Sequence, residues 1–213
     1  MKTDDLIAML STNVEQVNRR RLVQIVAAAI AIGAALVIAA VFVVLGIRPD
    51  LMKTGALAFL FLKLVFTLTV LVPASVFLIR LARPGGERKA RVALLVLPFV
   101  GIIVLAAVSL AFTPSSHWAT VALGDQWIEC LLSIPIIAIV PFAVIVWAVR
   151  QTAPTDLTRA GALAGLVAGT VSAIGYALHC TDDSLPFIAL WYGGTIALCT
   201  FAGAKLGPRL LRW

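Results

Sequence analysis

Charge is what this sequence has least of. Only 13% of its 213 residues are Asp, Glu, Lys or Arg, against 62% that are hydrophobic. A water-soluble domain of this length needs far more charge to cover its surface, so that class is excluded. Histidine and cysteine are nearly as scarce, at two and three residues. There is no Cys-x-x-Cys, which removes the usual motif of a thiol-oxidoreductase relay. No acid lies in the middle of an apolar run, which leaves a proton or ion relay without stations. Residues 1–21 are the longest polar stretch, so no soluble domain is expected.

Apolar runs fill the rest. Six blocks, 22–45, 56–79, 92–112, 128–149, 162–178 and 187–204, have about the length that crosses a hydrocarbon core of roughly 30 Å. Within lipid each such block must satisfy its own backbone groups, which makes it a helix. The fold class is therefore all-α: a polytopic bundle of six transmembrane helices, preceded by residues 1–21 and followed by a basic tail, 205–213. The first block begins at Leu22 and is longer than a signal-peptide core, so it reads as a permanent anchor.

The net charge of +7 is a topology signal rather than a nucleic-acid footprint. Fourteen basic residues fall in the N-terminal segment, the second and fourth loops and the tail, against Arg48 and Lys53 on the other side and Lys63 inside a span. The positive-inside rule places both termini in the cytoplasm and the loops 113–127 and 179–186 outside. Trp118, Trp127, Tyr176, Trp191 and Tyr192 near the outer boundary, with Trp147 and Trp213 near the inner one, agree with that placement.

Leu6, Leu10, Val14 and Val17 recur at helical spacing in residues 1–21, with Asp4 and Asp5 in the first turn behind Thr3 as N-cap. This amphipathic segment either lies on the membrane surface, held by Arg19 to Arg21, or docks in a partner's groove. Pro73, Pro98, Pro135 and Pro141 are expected to kink the second, third and fourth spans. Gly161, Gly165 and Gly169 make a small-residue face on the fifth span, Ala189, Gly193 and Ala197 a similar face on the sixth, and the two spans are expected to pack tightly. Lys63, inside the second span, either snorkels towards the interface or pairs with an acid.

The chemistry gathers in one place. Cys130 follows Glu129 at the outer start of the fourth span, while Cys180 sits just beyond the fifth, between His179 and the acids Asp182 and Asp183. His117 lies in the preceding outer loop. Topology brings both cysteines to the oxidising face, where disulfides form. Neighbouring carboxylates oppose a catalytic thiolate, whereas the same carboxylates with imidazole and sulfur favour a divalent cation. Cys130 and Cys180 are thus a disulfide or metal-binding pair, with Glu129, His179, Asp182, Asp183 and His117 as auxiliary ligands. No enzyme activity, cofactor or obligatory small-molecule substrate is expected. Cys199, deep in the sixth span, reads as a small buried apolar residue.

The start "MKTDDLIAML", the loop "RLARPGGERKAR", the stretches "HWATVALGDQWIECLLSIP" and "LHCTDDSLPFIALWY" and the ending "GPRLLRW" together resemble the NrsF family over nearly the whole chain. That resemblance implies a six-span anti-sigma factor of the bacterial inner membrane. It would hold an extracytoplasmic-function sigma factor and release it under stress, including heavy-metal stress. The family's periplasmic cysteine pair matches Cys130 and Cys180, whereas Cys199 is outside the pattern. The sigma-binding surface is then expected on residues 1–21, at Asp4, Asp5, Leu6, Leu10 and Val14. The partners are that sigma factor and the bilayer, with no direct contact to nucleic acid. The rival classes are a transporter of small solutes or metal ions, which needs polar groups in mid-membrane, and a purely structural membrane subunit.

Overall fold

Each apolar block forms a helix, and no strand occurs among the described residues. The computed structural model describes residues 3, 19–82, 92–152 and 154–212. In chain order the helices are α1 (Arg19–Ala40), which runs on into a π-helical turn (Val41–Leu45), α2 (Thr54–Leu81) and α3 (Ala93–Ala111). A 3-10 turn (Ser115–His117) and the short α4 (Trp118–Leu123) precede α5 (Trp127–Arg150) and α6 (Leu157–Ala177). The last span is composite: α7 (Leu185–Phe187), a second π-turn (Ile188–Tyr192) and α8 (Gly193–Leu210). Six of these segments are long and apolar enough to cross a membrane. The prolines at 73, 98, 135 and 141 all lie within continuous helices. α8 carries on past Lys205 and through Pro208 into what the sequence suggests is a tail.

The bundle is arranged around α6, which packs against α1, α2, α5 and α8. Its most apolar window is 83% buried, against 11% for α3, although α6 is one of the two least hydrophobic spans. In lipid there is no hydrophobic reward for hiding leucine, so large apolar residues face outward and the centre goes to small residues that allow close approach. The α6–α8 contact shows this directly. A Cβ at Gly161 would fall on the Gly203 carbonyl oxygen and 2.6 Å from Gly207 Cα; at Gly165 it would fall on the Cys199 carbonyl. At Gly169 it would lie 2.8 Å from Cys199 Cβ.

The partner helices are therefore the expected ones, but the face on the sixth span is not. Cys199, Gly203 and Gly207 form the seam, while Ala189, Gly193 and Ala197 line an apolar recess against α3. The expectation failed because a span ended at 204 omits Gly207 and hides the four-residue spacing. Cys199 has the modest role expected: a side chain small enough to meet Gly169.

Candidate functional site

The connections 46–53, 112–126 and 178–184 meet at one end of the bundle, the end predicted to face outward. α6 stops at Ala177, and the N–H groups of His179 and Cys180 both donate to the Tyr176 carbonyl, at 2.9 and 3.0 Å. The chain then runs extended to Ser184, whose hydroxyl accepts from Phe187 N as the N-cap of α7 and donates to the Val121 carbonyl, 2.7 Å away. Asp182 accepts from the backbone N–H of Asp125 (3.2 Å) and Gln126 (2.7 Å), supplying α5 with the capping acceptor its own N-cap lacks. The Gln126 side chain returns a bond, accepting from Thr181 N at 3.1 Å. Gly124 makes this approach feasible, since it has φ +63° and a Cβ there would lie 2.7 Å from both Asp182 and Phe187.

Below this lies a knot of buried charge. Lys63 is fully buried and Arg48 is 3% exposed. Asp183 receives both of them: Arg48 in a bidentate pair at 3.0 and 2.8 Å, Lys63 Nζ at 3.1 Å. Both cations also donate to the Cys180 carbonyl, at 3.1 and 3.2 Å. The remaining edge of the Arg48 guanidinium holds Asp50 at 2.7 and 3.0 Å. Two cations thus face two carboxylates, which is the condition under which buried charge is tolerated. The bonds to Asp50 and then Asp183 stabilise the guanidinium charge, and Arg48 in turn holds the Asp50 carboxyl below its ordinary range. Lys63 also lies 5.7 Å from the centre of the Tyr192 ring.

Cys130 and Cys180 are both fully buried, free thiols, near enough to interact electrostatically. The Cys180 sulfur is 4.0 Å from the Asp182 carbonyl. Burial pushes the Cys180 thiol up, with Lys63 opposing, so it stays protonated at neutral pH. The Tyr192 hydroxyl lies beside that thiol without hydrogen-bond geometry, and the hydroxyls of Tyr176 and Tyr192 have no hydrogen-bond partner among the described residues. Two thiols and two phenols therefore lie buried together under the extended loop.

The auxiliary residues are not gathered round that compartment. Asp182 caps α5, Asp183 pairs with Arg48 and Lys63, and His179 Nδ1 faces the Gly46 carbonyl at 3.1 Å. Glu129 is exposed, and so is His117, which sits beside Ser116. No group of three or more His, Cys, Asp or Glu side chains among the described residues is arranged to hold a metal. The donor set does not fit a many-ligand divalent site, which leaves the two cysteines by themselves. Lys63 resolves its two options in favour of an acid, and the acid comes from a loop rather than from another span. Arg48 was not among the candidates; its only trace in the sequence is that it is basic on the side where basic residues are otherwise avoided. Asp4, Asp5, Leu6, Leu10 and Val14 lie outside the described residues.

The sequence profile described as NrsF, negative regulator of sigma F, matches residues 10–213. A probable anti-sigma-F factor NrsF of Azospira oryzae is 35% identical over 214 residues, covering the whole of both chains. The anti-sigma-F factor NrsF of Caulobacter vibrioides is 31% identical over 222 residues, again covering both chains completely. No solved structure matches significantly.

Proposed function

The chain belongs to the NrsF family of negative regulators of sigma F, and from that membership we propose that it is a membrane-held anti-sigma factor for a sigma factor of the extracytoplasmic-function class. The observation that carries the reading is the end-to-end match to two relatives named as anti-sigma-F factors. Sequestration is a binding function and needs no catalytic constellation. With six spans occupying most of the chain, residues 1–21 are the segment that meets the sigma factor in this reading, through Leu6, Leu10 and Val14 with Asp4 and Asp5 near its start. Both termini lie in the cytoplasm, and the Cys130–Cys180 compartment faces the periplasm.

In this reading oxidant or a thiophilic metal reaches the two thiols, changes the packing of the loop-bearing end and lowers sigma affinity at the other. Coupling of this kind requires that the altered thiols favour one of two bundle packings. The transporter alternative needs charged groups along a path through mid-membrane. Arg48 and Lys63, the buried cations among the described residues, are both engaged by the loop at one end.

The test is co-purification of the sigma factor with the detergent-solubilised protein, full length, without residues 1–21, and as Leu10→Asp. A buried apolar contact contributes roughly 1.5–3 kcal/mol, so Leu10→Asp is expected to weaken sigma binding by about ten-fold or more. Undiminished capture by the truncated chain would overturn the assignment of the surface. For the thiols, Cys130→Ser, Cys180→Ser and the double change are expected to give one shared phenotype in a sigma-dependent reporter. Additive single effects would separate the two cysteines.

A further inference from the structure

Accepting the regulatory reading of the Cys130–Cys180 compartment, we infer that Lys63 and Arg48 are positioning residues that clamp the Cys180 segment shut. The geometry is specific to that one segment. Lys63 belongs to α2 and Arg48 to the first connection, yet both reach the same two acceptors, the carbonyl of Cys180 and the carboxylate of Asp183. Arg48 N adds a third backbone tie, donating to the Leu178 carbonyl at 3.1 Å. The residue that carries the thiol is thus held by its own main chain, and chemistry at sulfur cannot move Cys180 without straining bonds to two buried cations.

The clamp has two states because of where Lys63 sits. It is the tenth residue of α2, about 14 Å along the helix from Thr54 at 1.5 Å per residue. With the loop closed, its ammonium has a carboxylate, a carbonyl and the face of Tyr192. With the loop open it has none of the first two, and an unpaired ammonium at that depth is costly enough to drag the helix or its own stem towards water. Opening therefore moves the Lys63 stem towards water or α2 with it, the helix that precedes the basic stretch 83–91 in sequence. Asp183 and Asp50 retain some exposure, at 20% and 29% of their side chains, so the closed state is bordered by solvent rather than sealed.

Charge balance gives the test. Asp183→Asn leaves Arg48 with Asp50 and Lys63 with no carboxylate. Lys63→Met combined with Asp183→Asn restores neutrality, with Arg48 and Asp50 still paired. The readout is maleimide alkylation of Cys180 in the purified full-length protein, resolved by mass spectrometry, together with sigma capture. Asp183→Asn is expected to speed alkylation roughly ten- to hundred-fold, as an uncompensated buried charge drives the loop open. The double variant is expected to return most of the way to the wild-type rate, a rescue that loss of a merely structural contact does not produce. If Asp183→Asn does not accumulate in the membrane, recovery of accumulation in the double variant is the same result read as protein amount. Wild-type alkylation in Asp183→Asn, or a double variant as reactive or as poorly accumulated as the single one, overturns the clamp. Alkylation that follows charge balance while sigma capture never changes leaves the clamp standing and overturns the regulatory reading instead.

Discussion

The α6–α8 seam and the loop clamp are two different ways of holding helices together without a hydrophobic driving force. At the seam, Gly161, Gly165, Gly203 and Gly207 bring two backbones into direct contact. Nothing there can be protonated, oxidised or screened, apart from the buried Cys199 thiol at its edge. At the clamp, Arg48, Lys63 and Asp183 join two connections and α2 through charge, next to two thiols and within reach of water. Shape makes a contact that is constant, whereas charge makes one that depends on conditions. The seam suits a scaffold and the clamp suits a place where a signal enters.

The largest expected effect tests the constant half. Gly165→Leu places a side chain on the Cys199 carbonyl and against Gly203 Cα, where backbone rather than a flexible side chain must retreat. A loss of more than about 3 kcal/mol, beyond the common range for overpacking, is expected, read as failure to accumulate or a collapsed melting transition in detergent. A normal melt would break the comparison outright.

Gly124→Ala should act more locally. The substitution strains a positive φ and crowds Asp182 and Phe187, so a cost of about 1–3 kcal/mol is expected. Hydrogen exchange should rise in peptides covering 121–126 and 178–184 but not in the α6–α8 seam. Equal loss of protection in both regions would mean that seam and clamp are one cooperative unit.

Smaller again is the effect of acid. Arg48 holds Asp50 below its ordinary range, so the pair contributes fully at neutral pH and is lost as pH falls through that lowered value. Protection of the 46–50 segment should stay flat down to about pH 5 and decline below the ordinary aspartate value of about 3.9. Asp50→Asn should flatten this acid limb. A decline that begins near neutrality would assign the titration to another group. Smallest of all, Gly193→Ala should change stability by less than about 0.5 kcal/mol, because its new Cβ would meet nothing closer than Phe99 at 3.8 Å. A large loss would return the sixth-span face to the place first expected from the sequence.

Much of the architecture was legible because span length and backbone satisfaction leave lipid-embedded chains few options. The six runs and the α6–α8 partnership follow from local spacing alone. The short α4 and the 3-10 turn before it did not, since "SSHWATVAL" is an ordinary outer-loop sequence whose Trp118 is fixed by bonds from its indole to the Leu110 and Thr113 carbonyls. The candidate site was half legible. Cys130, Cys180, Asp182 and Asp183 were singled out for being reactive residues in a greasy chain, and three of the four lie in one segment. What they do was hidden, because the partners of Asp183 are 120 and 135 residues away in sequence. Periodicity reports which face a residue occupies; it does not report which distant charge has been brought opposite.

That separation has a consequence for how the protein is made. Lys63 enters the membrane with its span long before its counter-ion exists, because Asp183 is synthesised 120 residues later. At about 5–20 residues per second the interval is roughly 6–24 s. For that time the nascent second span carries an ammonium without its counter-ion, at an insertion cost below the roughly 2.5–3.5 kcal/mol of a basic residue at a helix centre. The surrounding leucines, valines and phenylalanines of α2 must outweigh it unaided. The half-built chain thus lacks the Lys63 counter-ion until the last loop emerges, when only the span Leu185–Leu210 is still to be made.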